Sequence, residues 1–217
     1  MPSLSPPASN LSSQATAIIL AAGSGSRMQG TVADKTRVPL NGLPVLCHSI
    51  RAFLASGCID RFTIVTRDDA QKTELKAALR QIDLQGTPLD WVLGGSERQD
   101  SVYNALRSQP ETCTHVFIHD SARPLVSTDS IQALHAAVRR DRAAVLAHPV
   151  ADTIKRIPTA AQLTQIALED LDRSRLWAME TPQAFALPDI LKAYQHVHDS
   201  GLRITDDTAA AATIGLH

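Results

Sequence analysis

A chain of 217 residues and 23.4 kDa suffices for one compact domain with a modest appendage, and is short for two full domains. Its 44% hydrophobic and 20% charged residues are globular proportions, which excludes wholesale disorder. The net charge of −1, with no basic block, argues against nucleic acid as a partner, and the longest nearly apolar run, residues 15–22, falls short of the ~18 that a membrane span requires.

In chain order, residues 1–14 are rich in Ser and Pro and read as a disordered leader, because they offer little apolar surface whose burial would offset the entropy of ordering. They also lack the basic start and apolar stretch of a secretory signal. From Thr16 onward, short apolar runs alternate with amphipathic stretches. Strands are predicted at 17–20, 62–65, 91–93, 115–118 and 143–146, whose unbroken apolar character suits strands covered on both faces. Helices are predicted at 44–54, 70–81, 98–106 and 128–140, the last with Ser127 or Thr128 capping its start. This alternation specifies an α/β fold with a doubly wound, mostly parallel sheet. Near residue 150 the rhythm breaks. Residues 152–175 read as a protruding β-hairpin arm, and helical pattern returns at 188–198 and 206–214. The chain divides into a leader (1–14) and a single domain (15–217) that carries the arm at about 150–175.

Cys47, Cys58 and Cys113 are odd in number and form no Cys-x-x-Cys pair, so they read as reduced thiols of a cytoplasmic protein. His115 and His119 flank the strand-like Val116-Phe117-Ile118 and are not expected to bind metal.

The chemistry is expected beyond the carboxyl ends of the strands. The first strand runs into Ala21-Ala22-Gly23-Ser24-Gly25-Ser26-Arg27-Met28, whose small residues let the backbone approach a phosphate. Two cations, Arg27 and Lys35, are near enough in sequence to serve one triphosphate. No Walker loop is present, and Met28 stands where a dinucleotide fingerprint would have its third glycine. After the third strand comes Gly94-Gly95-Ser96-Glu97-Arg98, a glycine-rich turn opening a helix. After the fourth comes His119-Asp120-Ser121-Ala122-Arg123-Pro124, in which Asp120 is suited to hold Mg²⁺ beside nucleotide phosphates.

Together with Gly95-x-Glu97-Arg98-x-Asp100-Ser101-Val102, Asp152-Thr153-Ile154-Lys155-Arg156, Thr181-Pro182-Gln183 and Thr205-Asp206-Asp207, these segments resemble the 2-C-methyl-D-erythritol 4-phosphate cytidylyltransferases over about residues 16–216. The resemblance implies a Rossmann-like nucleotidyltransferase fold and transfer of a cytidylyl group from CTP to the polyol phosphate in isoprenoid precursor synthesis. It assigns catalysis to Arg27, Lys35 and Arg173, of which Arg27 and Lys35 stabilise the transition state, and Mg²⁺ binding to Asp120. Nucleotide binding falls to Ala21, Ala22, Gly23, Gly25, Gly95, Ser96, Ser101 and Ser121, and acceptor binding to Arg123, Thr153, Arg173, Thr181 and Thr205. It further implies a cytoplasmic homodimer whose arm reaches the partner's site.

Ribitol 5-phosphate is the alternative acceptor, since its cytidylyltransferases share the nucleotide half. The run Thr36-Arg37-Val38 departs from the family's usual Gln, aromatic and Leu. The family's closing strand and helix, with a lysine that positions the acceptor, have no counterpart after His217. On that ground a catalytically impaired nucleotide-binding dimer is a further alternative, and Ile214 and Leu216 are expected to be left uncovered.

Overall fold

The computed structural model describes residues 14–23, 34–157 and 167–216. β1 (Gln14–Leu20) is followed by a short ribbon of β2 (Pro39–Leu40) and β3 (Leu43–Pro44). Then come α1 (Val45–Ser56), β4 (Arg61–Thr66), α2 (Asp69–Leu79), β5 (Leu89–Leu93), α3 (Arg98–Arg107), β6 (Cys113–Asp120), α4 (Thr128–Asp141) and β7 (Ala143–Pro149). β8 (Lys155–Arg156) and β9 (Glu169–Asp170) pair as a separate antiparallel ribbon, the base of the expected arm. After one 3-10 turn (Arg173–Arg175) the chain closes with β10 (Trp177–Ala186), α5 (Leu187–Asp199) and α6 (Asp207–Ala212).

The main sheet has the order β5-β4-β1-β6-β10-β7. β5, β4, β1 and β6 are mutually parallel, whereas β10 runs antiparallel to both of its neighbours. The chain therefore winds outward from β1 to β5, then crosses to the other side at β6, as a doubly wound sheet does. Alternation along β1 feeds two cores. Ala15, Ala17, Ile19 and Ala21 pack with α1, α2 and α4, while Ile18 faces α3, α5 and α6. Phe53 of α1 is fully buried, edge-on to Phe62 and Phe117 with ring centroids 6.4 and 6.3 Å apart. Burial of such a side chain contributes roughly 1.5–3 kcal/mol.

Helix starts follow from side-chain acceptors at the N-caps. Asp68, Ser127 and Asp206 accept from Gln71, Ser130 and Ala209 backbone N–H groups. Gly57 ends α1 in the left-handed region at φ 66°.

Three sequence expectations need correction. Gln14, assigned to the leader, is the first residue of β1: it pairs with Cys113 and accepts from the Thr112 hydroxyl. β10 was not predicted at all. Ile214 and Leu216 are not left uncovered but pack partly against the α5–α6 core.

Candidate active site

The carboxyl ends of β1, β5 and β6 open on the same side of the sheet, and β1 and β6 flank the point where the winding reverses. Ligands of open α/β sheets bind in that crevice. A cleft of about 600 Å³ occupies it, lined by the loop after β1, the turn before α3 and the loop after β6, together with Lys35 and Thr36.

The β1 loop is held by backbone and side-chain bonds. Ala21 N–H donates to the Val65 carbonyl at 2.9 Å, continuing the strand ladder for one residue. The Gln71 side-chain amide, fully buried on α2, donates to the Ala21 carbonyl at 2.9 Å and to Asp34 Oδ2 at 2.6 Å. Asp34 Oδ1 accepts in turn from the Thr36 N–H and hydroxyl, and Leu46 N–H donates to the Thr36 carbonyl. Lys35 thus sits between two anchored neighbours, although Thr36 is not the residue usual for the resembling family. Gly25 and Arg27 lie outside the described residues.

The turn after β5 depends on glycine for lack of space. A Cβ on Gly95 would lie 2.2 Å from Asp100 Cβ, and one on Gly94 would lie 2.8 Å from both Ala22 Cβ and Ser101 Oγ. The loss of side chain permits two capping interactions: Gly95 N–H donates to Ser101 Oγ at 3.0 Å, and Glu97 N–H donates to Asp100 Oδ2 at 3.0 Å. The Ser96 hydroxyl also donates to Asp100, at 2.6 Å. The Ser101 hydroxyl donates in turn to the Glu97 carbonyl at 3.1 Å.

At the end of β6 a directed chain of hydrogen bonds runs beneath Asp120. Asp120 N–H donates to Thr181 Oγ1, Thr181 Oγ1 lies 3.2 Å from His119 Nδ1, and His119 Nε2 lies 3.2 Å from the Arg123 carbonyl. A carbonyl only accepts, so the imidazole proton belongs on Nε2 and the Thr181 hydroxyl donates to Nδ1. His119 is fully buried, edge-on to Phe53, and burial pulls its pKa down to about 4. It is neutral at pH 7 and serves as a strut. Thr181, expected to bind acceptor, is buried in this strut instead. Ser121 donates both its N–H and its hydroxyl to the Leu20 carbonyl, which locks β1 to the β6 loop.

The Asp120 carboxylate is one-third exposed and flanked by Arg98 at 3.3 Å and Arg123 at 3.5 Å. Among the described residues no group of three or more His, Cys, Asp or Glu converges to form an all-protein cage. The Asp120 carboxylate on the same cleft as the small-residue loop suits Mg²⁺ nonetheless, because that ion keeps waters and takes other oxygens from substrate phosphates. Arg67 also reaches the cleft, though it pairs with Asp68. Sequence reasoning missed both Arg67 and the internal partner of Arg98.

The remaining acceptor-side residues are elsewhere. Thr153 and Arg173 are exposed at the base of the arm, where Arg173 donates to the Ala151 carbonyl at 2.8 Å, and Thr205 is exposed ahead of α6. None of the three lines the cleft of this protomer, whereas Arg123 does. The cleft itself offers small-residue backbone, the cations Lys35, Arg67, Arg98 and Arg123, and the carboxylates of Asp120 and of Glu97, which pairs with Arg203, a set that suits an anionic nucleotide.

The family model for 2-C-methyl-D-erythritol 4-phosphate cytidylyltransferase matches residues 15–217. The 2-C-methyl-D-erythritol 4-phosphate cytidylyltransferase of Synechococcus elongatus is 38% identical over 199 residues, covering 92% of this chain and 83% of the relative. The Bacillus cytotoxicus protein of that name is 34% identical, covering 92% and 84%. Among solved structures, the 4-diphosphocytidyl-2C-methyl-D-erythritol synthase of Anaerococcus prevotii superposes with a TM-score of 0.77 at 25% identity, covering 93% of this chain and 84% of that one. The Francisella tularensis 2-C-methyl-D-erythritol 4-phosphate cytidylyltransferase gives 0.74 at 26%, covering 94% and 88%.

Proposed function

Because the chain belongs to the 2-C-methyl-D-erythritol 4-phosphate cytidylyltransferase family, we propose that it transfers the cytidylyl group of CTP to 2-C-methyl-D-erythritol 4-phosphate in its β1–β5–β6 cleft. The observation that carries this assignment to particular residues is the meeting of the 21–23 backbone, Lys35, Gly95 and Asp120 around one crevice. An oxygen of the acceptor phosphate attacks the α-phosphorus of CTP, and the bond to the bridging oxygen breaks to release pyrophosphate. The nucleophile needs no general base, since a phosphomonoester with a second pKa near 6 is already mostly dianionic at pH 7. What the protein supplies is alignment of two anions and positive charge around the crowded phosphorus.

The backbone of Ala21, Ala22, Gly23 and Gly95, with Ser96, Ser101 and Ser121, holds the nucleotide, and the sequence resemblance gives Gly25 the same role. Lys35 and Arg27 stabilise the charge that develops on the α-phosphate and the departing pyrophosphate. Asp120 would hold Mg²⁺, which when bound neutralises phosphate charge. Arg123 faces the acceptor. Removal of divalent cation with EDTA should abolish pyrophosphate release from CTP and 2-C-methyl-D-erythritol 4-phosphate, and Mg²⁺ should restore it; unchanged turnover would remove the metal from the scheme.

The active unit is a cytoplasmic homodimer in this reading. Ile154, Ile157, Leu168, Trp177 and Met179 are all exposed on or beside the arm, an apolar concentration that a second copy would cover. Thr153 and Arg173 then serve the neighbouring cleft. Mixing Arg173→Ala and Lys35→Ala proteins should partly restore activity through heterodimers, and no rescue despite demonstrated subunit exchange would contradict a shared site.

A further inference from the structure

We propose that Arg98 is a positioning residue of the transfer site, clamped from behind by buried Asp207 so that it fixes the orientation of the Asp120 carboxylate. Arg98 opens α3 on the cleft wall. Its Nη1 and Nη2 donate to the two oxygens of Asp207 at 3.0 and 2.8 Å, a two-pronged pair, while Nε donates to Asp120 Oδ1 at 3.3 Å. Asp207 is fully buried and also accepts from the Tyr194 hydroxyl. The guanidinium is planar, so fixing its two outer nitrogens also fixes the direction of Nε.

The clamp is itself held. Asp206 caps α6 and accepts from Gln183 of β10, and Thr208 N–H donates back to Gln183 Oε1. Gln99 bridges Leu202 and Ile204, and Arg203 pairs with Glu97, so the segment before α6 is stitched to the start of α3. Burial alone would lower the Arg98 pKa, but Asp207 and then Asp120 raise it, and the cation persists.

The two arginines at Asp120 therefore differ in kind. Arg123 is half-exposed and lies 3.5 Å from Oδ2, free to turn toward an incoming phosphate. Arg98 is not free to leave. It holds Oδ1 and leaves Oδ2 to the more exposed Arg123. A buried ion pair is no necessity for stability, since apolar replacements often serve as well. Its third bond, to a carboxylate on the cleft wall, is what gives the pair a role in the site.

The inference rests on the reading of Asp120 as the cation-binding carboxylate, and the test separates the two. CTP binding is measured by calorimetry with and without Mg²⁺, alongside kcat for pyrophosphate release, in the parent, Asp120→Asn, Arg98→Lys and Asp207→Asn proteins. Arg98→Lys keeps the charge and Asp207→Asn the shape, and each breaks the fork, so one variant with a cooperative melt suffices. Both should keep metal-free CTP affinity within about 3-fold of the parent. Both should lose about 10–100-fold of the Mg²⁺-dependent gain in affinity and a comparable factor in kcat, as residues that orient a metal ligand do. Variants that melt at lower temperature yet keep the parental gain and kcat would show that the pair is structural only. Loss of metal-free affinity would make Arg98 a nucleotide contact and overturn the positioning role. An Asp120→Asn protein that retains the Mg²⁺-dependent gain would instead refute the reading of Asp120.

Discussion

Gln71 donates its side-chain amide to Asp34 across 37 residues of sequence, and the same nitrogen reaches the Ala21 carbonyl. One buried side chain on α2 thereby ties the β1 loop to the turn that presents Lys35. Gln71→Ala should leave both acceptors short of a donor, costing about 1–3 kcal/mol of stability. Gln71→Glu should be worse at pH 7, because it sets a carboxylate against Asp34 in a buried site. Thermal melts of the two variants check this order; a Gln71→Glu protein more stable than Gln71→Ala would contradict it.

Lys35 lies on the cleft wall with its neighbours, not its own ammonium, bearing the structural load. Lys35→Ala should lower kcat by roughly 10²–10³ while changing stability by less than about 0.5 kcal/mol. Arg27→Ala should act in the same direction. Near-parental kcat in both proteins would make these cations ordinary surface charges.

Gly95 and Gly23 should respond differently to alanine. The Cβ at 95 meets Asp100 at 2.2 Å, and relief requires moving the start of α3. Gly95→Ala should cost about 1–3 kcal/mol and weaken CTP binding. Among the described residues nothing lies within 4 Å of a Cβ at 23, so Gly23→Ala should melt with the parent. Equal melting temperatures for both variants would contradict the steric argument.

His119 predicts an acid limb in stability. Burial depresses its pKa from 6.5 to about 4, opposed by the Asp120 charge and by hydrogen bonds at Arg123 and Thr181, with only the Arg123 charge adding to the shift. Below pH 6.5 the unfolded chain binds the proton that the folded chain refuses, so stability is full above that value and falls as pH drops toward 4. A shift of this size corresponds to about 3 kcal/mol across the window. Denaturant melts from pH 7 to 4, without nucleotide or metal, should show a shallower decline in His119→Gln than in the parent. Parallel curves would place the acid sensitivity on other groups, such as His115 and His135, whose pKa values burial also lowers.

Of the strands read from apolar runs, β1, β4 and β6 are buried on both faces, whereas the edge strands β5 and β7 are only partly covered; α2 and α4 were legible because their caps are local. β10 escaped for a physical reason. Its middle holds Glu180, Thr181, Pro182 and Gln183, and a proline within polar residues argues against a central strand. Those residues are polar because they serve other elements: Thr181 supports Asp120 and Gln183 anchors α6. The loops around the cleft were legible because backbone approach and cations leave local traces. The partnership of Arg98 with Asp207 was not, since it joins positions 109 residues apart. Its one sequence signal is the doubled acid at Asp206 and Asp207, where a single acid suffices to cap α6.

The most direct test of the account is pyrophosphate release by the purified protein with Mg²⁺, crossing CTP, UTP, ATP and GTP against 2-C-methyl-D-erythritol 4-phosphate and ribitol 5-phosphate. CTP with 2-C-methyl-D-erythritol 4-phosphate should give the highest kcat/KM, by at least about 10-fold over every other pair, a margin of about 1.4 kcal/mol in the barrier. Equal turnover of UTP, or preference for ribitol 5-phosphate, would contradict it.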